Sequence, residues 1–453
     1  MKHTPRLILS LLTLLTPALA QSPAQLKAEL KKREAAAKKN PDALVEVGKW
    51  AATHALTADA KRLFQAALKA KPDHAGANEA LGNELVEGKW LPKKEAEALR
   101  MKALATEFAA KGLVEVDGVW VEKDKVDDAK KGIYHHDGEV VNREEKVGLL
   151  SGKVRHPVTG LLIDAKDLEK AQGRYFPIGS DRWVDEKEAN TFHSDFKKPW
   201  IVRGHHITLL TTMPIAKVEP LLSQSDIGFE RVAPLLGGKA PAPTRRPVVW
   251  LAESNGQYTE LGAAFGDGSD AAGIFLGMPE RVLGVPTVGE VRPVFCRFEK
   301  DWLERDVRHA TAMAYAASIA EEAGADLPLW LLQGFGSYTS RFENDSDAAW
   351  FAKQHMARGG VRSVKSWFSA FAISGESESA DIAGNLFQAG LMLRFAAGGG
   401  DAGVTEAMQA LTALLSGQAK GSADKAISKL EAALVAAEPA IAKLCQELAA
   451  KSQ

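Results

Sequence analysis

Cysteine is almost missing from this chain. Cys296 and Cys445 are the only two in 453 residues, which excludes a disulfide-stapled scaffold and a thiolate metal cluster. One lies in a strand-like run and the other in the last helix, and their positions leave open whether they meet. A charge surplus is missing too. With 57 Lys and Arg against 58 Asp and Glu, the formal net charge is -1, so there is no electrostatic case for nucleic acid or an acidic membrane surface. Lys-rich stretches such as LKKREAAAKK at 30–39 read as solvated helix faces. Past residue 20 no apolar run is long enough to span a bilayer. There is no G-x-S-x-G elbow, and neither Cys sits in a papain-like or redox motif.

What is present begins with a leader. Lys2 and Arg6, an apolar run from Leu7 to Leu15, and small residues at Ala18 and Ala20 form the pattern of a secretory signal peptide over residues 1–20. The expectation is an exported protein, periplasmic or extracellular, with no lipid anchor at the cleavage point. The rest of the chain, 45% hydrophobic and 25% charged over the full sequence, has ordinary globular composition and the length of two or three domains.

Residues 21–110 read as helical. Within 41–74, PDALVEVGKWAATHALTADAKRLFQAALKAKPDH, small Gly48 and Ala60 permit two helices to approach, Phe64 fills the space between them, and Pro72 stops the second. Leu44, Val47, Gly48, Ala51, Ala60, Phe64, Ala67 and Pro72 stand at the offsets of a tetratricopeptide repeat, which this stretch resembles. Leu81 and Gly82 start a second repeat that breaks at EGKW. Residues 111–196 read as repeated small modules, the unit already visible at Gly88: a turn at Gly88, Gly118, Gly138 and Gly160, or around Trp183, then two apolar residues and a charged segment. Each predicts a tight turn into a short strand and then a helix start. A single module buries too little, so neighbours are expected to stack into small shared cores. His135 and His136, adjacent on a strand, point to opposite faces and make a poor chelating pair, and His156 among these units is not read as a metal ligand either.

Residues 197–418 predict an α+β domain with its sheet first and helices after. WIVRGHHITLLTT reads as one strand, with His205 and His206 on alternate faces. PIAKVEPLLSQSDIGFERVAPLL follows as a helix, VVWLAES, AGIFLGM and VRPVFCRF as further strands, and FGDGSDAAG as a turn rather than a phosphate loop. Residues 419–453 form a closing amphipathic helix that Pro439 should kink or divide.

The order DWLERDVRHATAM, LPLWLLQGFGSY, NLFQAGLMLRFAAGGG after a strand-helix-strand opening is similar to exported peptidase MA-like domains of the gluzincin group. Those commonly follow tetratricopeptide repeats and small Gly-x-Trp modules. The resemblance implies a multidomain protein: an N-terminal α-helical repeat, small β-hairpin and helix modules, then an α+β zincin-like domain. In the active family two His at i and i+4 bind zinc, the Glu beside the first activates the metal-bound water, and a Glu from the next helix completes the ligands. Here His309 holds the first ligand position, Ala310 replaces the Glu, Met313 replaces the second His, and Gln333 replaces the third ligand, with Tyr338 among the retained surroundings. One imidazole, a thioether and a neutral amide suit zinc poorly, and Ala310 accepts no proton. The resemblance therefore implies a degenerate cleft with no catalytic residues, no metal and no cofactor. The function expected is a non-catalytic peptidase-like protein that binds a peptide or protein partner, with the oligomeric state open. The alternative is an active metallohydrolase that combines His309 with Glu321, Glu322 or Glu343. A further alternative is a purely structural envelope protein.

Overall fold

The computed structural model describes residues 22–177, 180, 182–239, 246–265, 274–276, 294–297, 300–371 and 379–452. The leader at 1–20 and the FGDGSDAAG segment beyond Phe265 lie outside these residues. The protein is α-rich and multidomain, and it divides into two compact units, Met1–Leu113 and Val114–Gln453. No helix among the described residues is long and apolar enough to cross a membrane.

In the first unit, helices α1 (Pro23–Ala37), α2 (Pro41–Thr53), α3 (Thr57–Ala70) and α4 (Ala75–Ala80) precede a hairpin of β1 (Asn83–Val86) and β2 (Lys89–Pro92), and α5 (Lys93–Ala110) closes it. The Asn40 side chain accepts from the Ala43 N–H and starts α2 at Pro41, a cap followed by a proline that needs no donor there. Gly48 of α2 lies against Phe64 of α3: a Cβ there would stand 2.5 Å from the ring. Ala51, Leu63 and Ala67 are fully buried beside them. The start of a second repeat at Leu81 does not continue as helix. Gly82 takes φ +77, and the chain turns into β1, so the region expected to be helical over 21–110 contains a hairpin.

The second unit opens with four more hairpins. These are β3 (Val114–Val116) with β4 (Val119–Val121), β5 (Tyr134–His136) with β6 (Glu139–Val141), β7 (Lys153–Arg155) with β8 (Leu162–Asp164), and β9 (Arg174–Tyr175) with β10 (Val184–Asp185). Helices α6 (Val126–Ala129), α7 (Arg143–Leu150) and α8 (Glu186–Phe192) follow the first, second and fourth of them. Three of the described hairpin turns, Glu87-Gly88, Asp117-Gly118 and Asp137-Gly138, have positive φ at both residues. That is the conformation whose twist matches a two-residue hairpin. Valines close the small cores: Val119, Val121 and Val141 are buried with Ala129 and Tyr134, while Trp120 is only half-buried. Adjacent modules are joined by Lys146, 1% exposed, whose Nζ donates to Glu122 at 3.1 Å and to the His135 carbonyl at 2.5 Å.

Two strands follow where one was expected: β11 (Trp200–Arg203) and β12 (Thr208–Thr211) pair antiparallel, Arg203 opposite Thr208. The chain reverses at residues 204–207, and His205 and His206 lie in the bend rather than on a strand. Beyond α9 (Glu219–Val232), β13 (Val248–Leu251), α10 (Asn255–Phe265), β14 (Ile274–Leu276) and β15 (Val294–Cys296) complete a sheet of order β11-β12-β13-β15-β14. The three middle strands run parallel and both outer ones antiparallel to their neighbours. Both faces are covered, which explains continuous apolar runs such as VVWL. Leu209, Val249, Leu251 and Val294 belong to the main core, and Leu210, Trp250 and Phe295 pack with Tyr258 and Leu261 of α10.

The remaining elements are helices: α11 (Leu303–Glu322), α12 (Leu329–Arg341), α13 (Asp345–Met356), α14 (Val364–Ala370), α15 (Ser379–Ala397), α16 (Ala402–Leu415), α17 (Ala423–Ala436) and α18 (Glu438–Ala450). The closing segment is divided where Pro439 enters the first turn of α18. Cys296 and Cys445 are both buried free thiols.

An ion cluster ties the hairpin modules to the sheet. Glu139 and Glu145 receive Arg203, which is 9% exposed, and also Arg155. Burial pushes the Glu139 carboxyl up, but the Arg203 and Arg155 guanidinia outweigh it and hold it below its ordinary value. Glu139→Gln should cost about 1–3 kcal/mol, the penalty for leaving a buried charged donor short of its partner. Urea unfolding at neutral pH checks this, and an unchanged midpoint would rule the cluster out as a clamp.

Candidate functional site

Helix α11 runs through the middle of the second unit, and every residue from Asp306 to Ala320 is buried. Its alanines let neighbours approach closely. Gly228 brings α9 against the Arg308 backbone, where a Cβ would stand 2.7 Å from the carbonyl oxygen. Strands β13 and β15 face α11 from the sheet side and α12 from another.

His309 and Gln333, 24 residues apart, are in direct contact: Nε2 of the imidazole is 2.8 Å from Oε1 of the amide. The other ring nitrogen, Nδ1, lies 3.2 Å from Arg341 Nη1 and 3.3 Å from Ser340 Oγ. A guanidinium only donates, so Nδ1 is the acceptor and Nε2 carries the proton that is given to Gln333. His309 is 1% exposed and Gln333 fully buried. Burial first, and the Arg341 charge second, push the imidazole down to about 3, so it is neutral at any physiological pH. Arg341 is itself lowered by burial, to about 10, with Asp306 acting in the opposite sense. It remains a cation beside the ring.

These groups fail as a zinc site on three counts. The ring nitrogen aimed at Gln333 bears a proton where a ligand needs a lone pair. Two ligands of one tetrahedral zinc, each ~2.0–2.1 Å from it, would stand about 3.3 Å apart, and the observed 2.8 Å is hydrogen-bond contact. The Arg341 guanidinium on the other ring nitrogen adds a full positive charge beside the imidazole, which repels a divalent cation. Ala310 and Met313 are fully buried on the same helix and supply neither a base nor a hard ligand.

The other candidates lie elsewhere. Tyr338 is stacked under the Arg231 guanidinium, 5.5 Å from its ring centroid, and lines a cavity with Phe342 and Arg394. Glu343 pairs with Arg308. Glu322 pairs with Lys239 at 2.7 Å, and thirteen residues of helix put it about 20 Å along α11 from His309. Among the described residues, no three His, Cys, Asp or Glu side chains are grouped to hold a metal ion. His135 and His205 each contact an aspartate, Asp128 and Asp226, and His156 bonds the Arg174 carbonyl.

Reasoning from sequence missed Gly336, Ser340 and Arg341. They follow Gln333 by three, seven and eight residues, the spacing of one helix face, and that periodicity was the available signal. Comparison with protein-family models, with curated proteins and with solved structures finds no match to this chain.

Proposed function

We propose that this is an exported, non-catalytic protein whose second half is a peptidase MA-like domain with a dismantled zinc site, preceded by a tetratricopeptide-like helical region, and that it acts by binding a peptide or protein. The observation that carries the reading is the buried bond from His309 Nε2–H to Gln333, with Arg341 on the opposite nitrogen. A cation and two hydrogen bonds hold together the two helices that zinc joins in the active family. The 24-residue layout, with Pro328, Trp330 and Gly334 around it, keeps the surroundings of that site.

Binding by strand addition needs backbone hydrogen bonds and no metal. Among the described strands, one edge of the sheet is suited to it. At β11 the Arg203 N–H already bonds the Thr159 carbonyl at 2.8 Å, whereas no described strand pairs with the outer edge of β14. Metal analysis of the purified mature chain should find well under one zinc per molecule, and His309→Ala should not change that number. Stoichiometric zinc that disappears in His309→Ala, with chelator-sensitive peptide cleavage, would defeat the proposal.

A further inference from the structure

A cavity of about 680 Å³ opens beside the C-terminal end of α12, walled by Tyr338, Phe342 and Phe395 and rimmed by Arg231, Arg394 and Lys443. Three cations and three carboxylates, Glu343, Asp345 and Glu447, line it, but they do not all pair off with one another. Glu343 is taken by Arg308, Asp345 by Arg394 at 3.0 Å, and Glu447 lies 3.7 Å from Lys443. Arg231 has no carboxylate. Two of its N–H groups go to main-chain carbonyls, Glu343 at 2.8 Å and Phe342 at 2.5 Å, and its Nε is buried without a hydrogen-bond partner. A half-buried guanidinium that bonds only neutral groups is poorly compensated. Burial lowers its proton affinity, and Arg394 nearby adds to that while Tyr338 opposes it.

We infer that this cavity binds an organic carboxylate with an apolar body, its carboxylate on Arg231 and Arg394 and its apolar part among Tyr338, Phe342 and Phe395. A guanidinium pair matches the geometry of a carboxylate, and the aromatic walls reward an apolar group that inorganic anions lack. The inference is independent of the reading of His309, because none of the cavity residues touches that pair. The same chemistry is found in the free C-terminus of a peptide ending in a large apolar residue and in a free aryl or alkyl carboxylate.

Calorimetric titration of the full mature chain separates the sources. The probes are 4-phenylbutyrate, the peptide acetyl-Gly-Gly-Phe with a free C-terminus, and the same peptide as its amide. Saturable binding of at least one free acid is expected, with the amide at least tenfold weaker. A tighter peptide acid identifies a chain terminus as the ligand, and a tighter phenylbutyrate a free carboxylate. Arg231→Gln should weaken binding at least tenfold. Because Arg231 also holds the end of α12, a second variant, Ala440→Trp, fills the cavity from an exposed position of α18 and should abolish binding in a folded protein. Absence of saturable binding to the wild type, equal affinity for acid and amide, or undiminished binding by Ala440→Trp would each overturn the inference.

Discussion

Gly336→Ala should be the most damaging single methyl group that can be added to the second unit. A Cβ at this position would lie 2.7 Å from His309 Cγ and closer still to Cδ2 and Nε2. The ring has nowhere to go, since Nε2 is bonded to Gln333 and Nδ1 faces Arg341 and Ser340. Overpacking of a dense core costs about 1–3 kcal/mol. Displacing the imidazole also breaks a bond between two fully buried polar groups, at about 1–3 kcal/mol more, so a total loss of roughly 2–6 kcal/mol is expected. Gly334→Ala, two residues away, is the control. Its Cβ would meet the tip of Leu393 at 2.9 Å and the Ala389 carbonyl at 3.3 Å, and the nearer contact is the end of a rotatable side chain rather than a ring bonded on both sides, so the loss should be clearly smaller. Chemical denaturation of the two variants decides it, and a Gly336→Ala protein as stable as Gly334→Ala would mean that the His309 ring is not held as described.

Acid should destabilise the protein steeply below pH 6.5, most strongly through two imidazoles. His309 is lowered from 6.5 to about 3 by burial and by Arg341. His355 is lowered to about 4 by burial, then by Arg362 and Arg358. In the unfolded chain both take up protons as the pH falls through 6.5, whereas in the folded chain they stay neutral until about 4 and 3. Over that interval the unfolded state binds more protons, so stability present above pH 6.5 is lost progressively on acidification. Between pH 7.5 and 4.5 the two sites together account for about 5 kcal/mol, divided nearly evenly. His355→Gln removes one titrating group, so its loss over the same interval should be smaller by about half of that amount. Denaturant midpoints at the two pH values provide the measurement, and equal losses in variant and wild type would show that His355 does not titrate this way.

Much of the architecture can be read from local residue patterns. Asp-Gly and Glu-Gly pairs between short apolar runs announce hairpins, because only the φ-positive turn joins two strands in two residues. Gly48 facing Phe64, and Pro439 dividing the last helix, act through steric rules that reach only a few residues along the chain or across one helix pair. The reversal at Gly204 was not legible, since WIVRGHHITLL is apolar on both sides of the glycine and a sheet buried on both faces erases the alternation that marks a strand's limits. The small cores of the modules are built from valines and not from the tryptophans after the turns. The pleat turns their neighbouring valines inward, so Val119 and Val121 are buried and Trp120 is half-exposed.

For the candidate site, sequence determined which groups are present: one imidazole, and a methyl, a thioether and an amide in the places where the proposed zinc-peptidase resemblance would need a base and two ligands. That inventory is sufficient to argue against zinc, because coordination chemistry depends on donor type. What those groups do instead was decided only by tertiary structure. The His309 proton faces Gln333, Arg341 swings back onto the other nitrogen, and Gly336 leaves room for the ring, because α11 and α12 pack closely enough to exclude water. Hydrogen-bond direction, burial and the resulting loss of basicity depend on distances between two helices, which no pattern along a single chain segment contains. The unmatched charge of Arg231 has the same origin, since Glu343 and Asp345 are occupied by Arg308 and Arg394, partners brought from other helices.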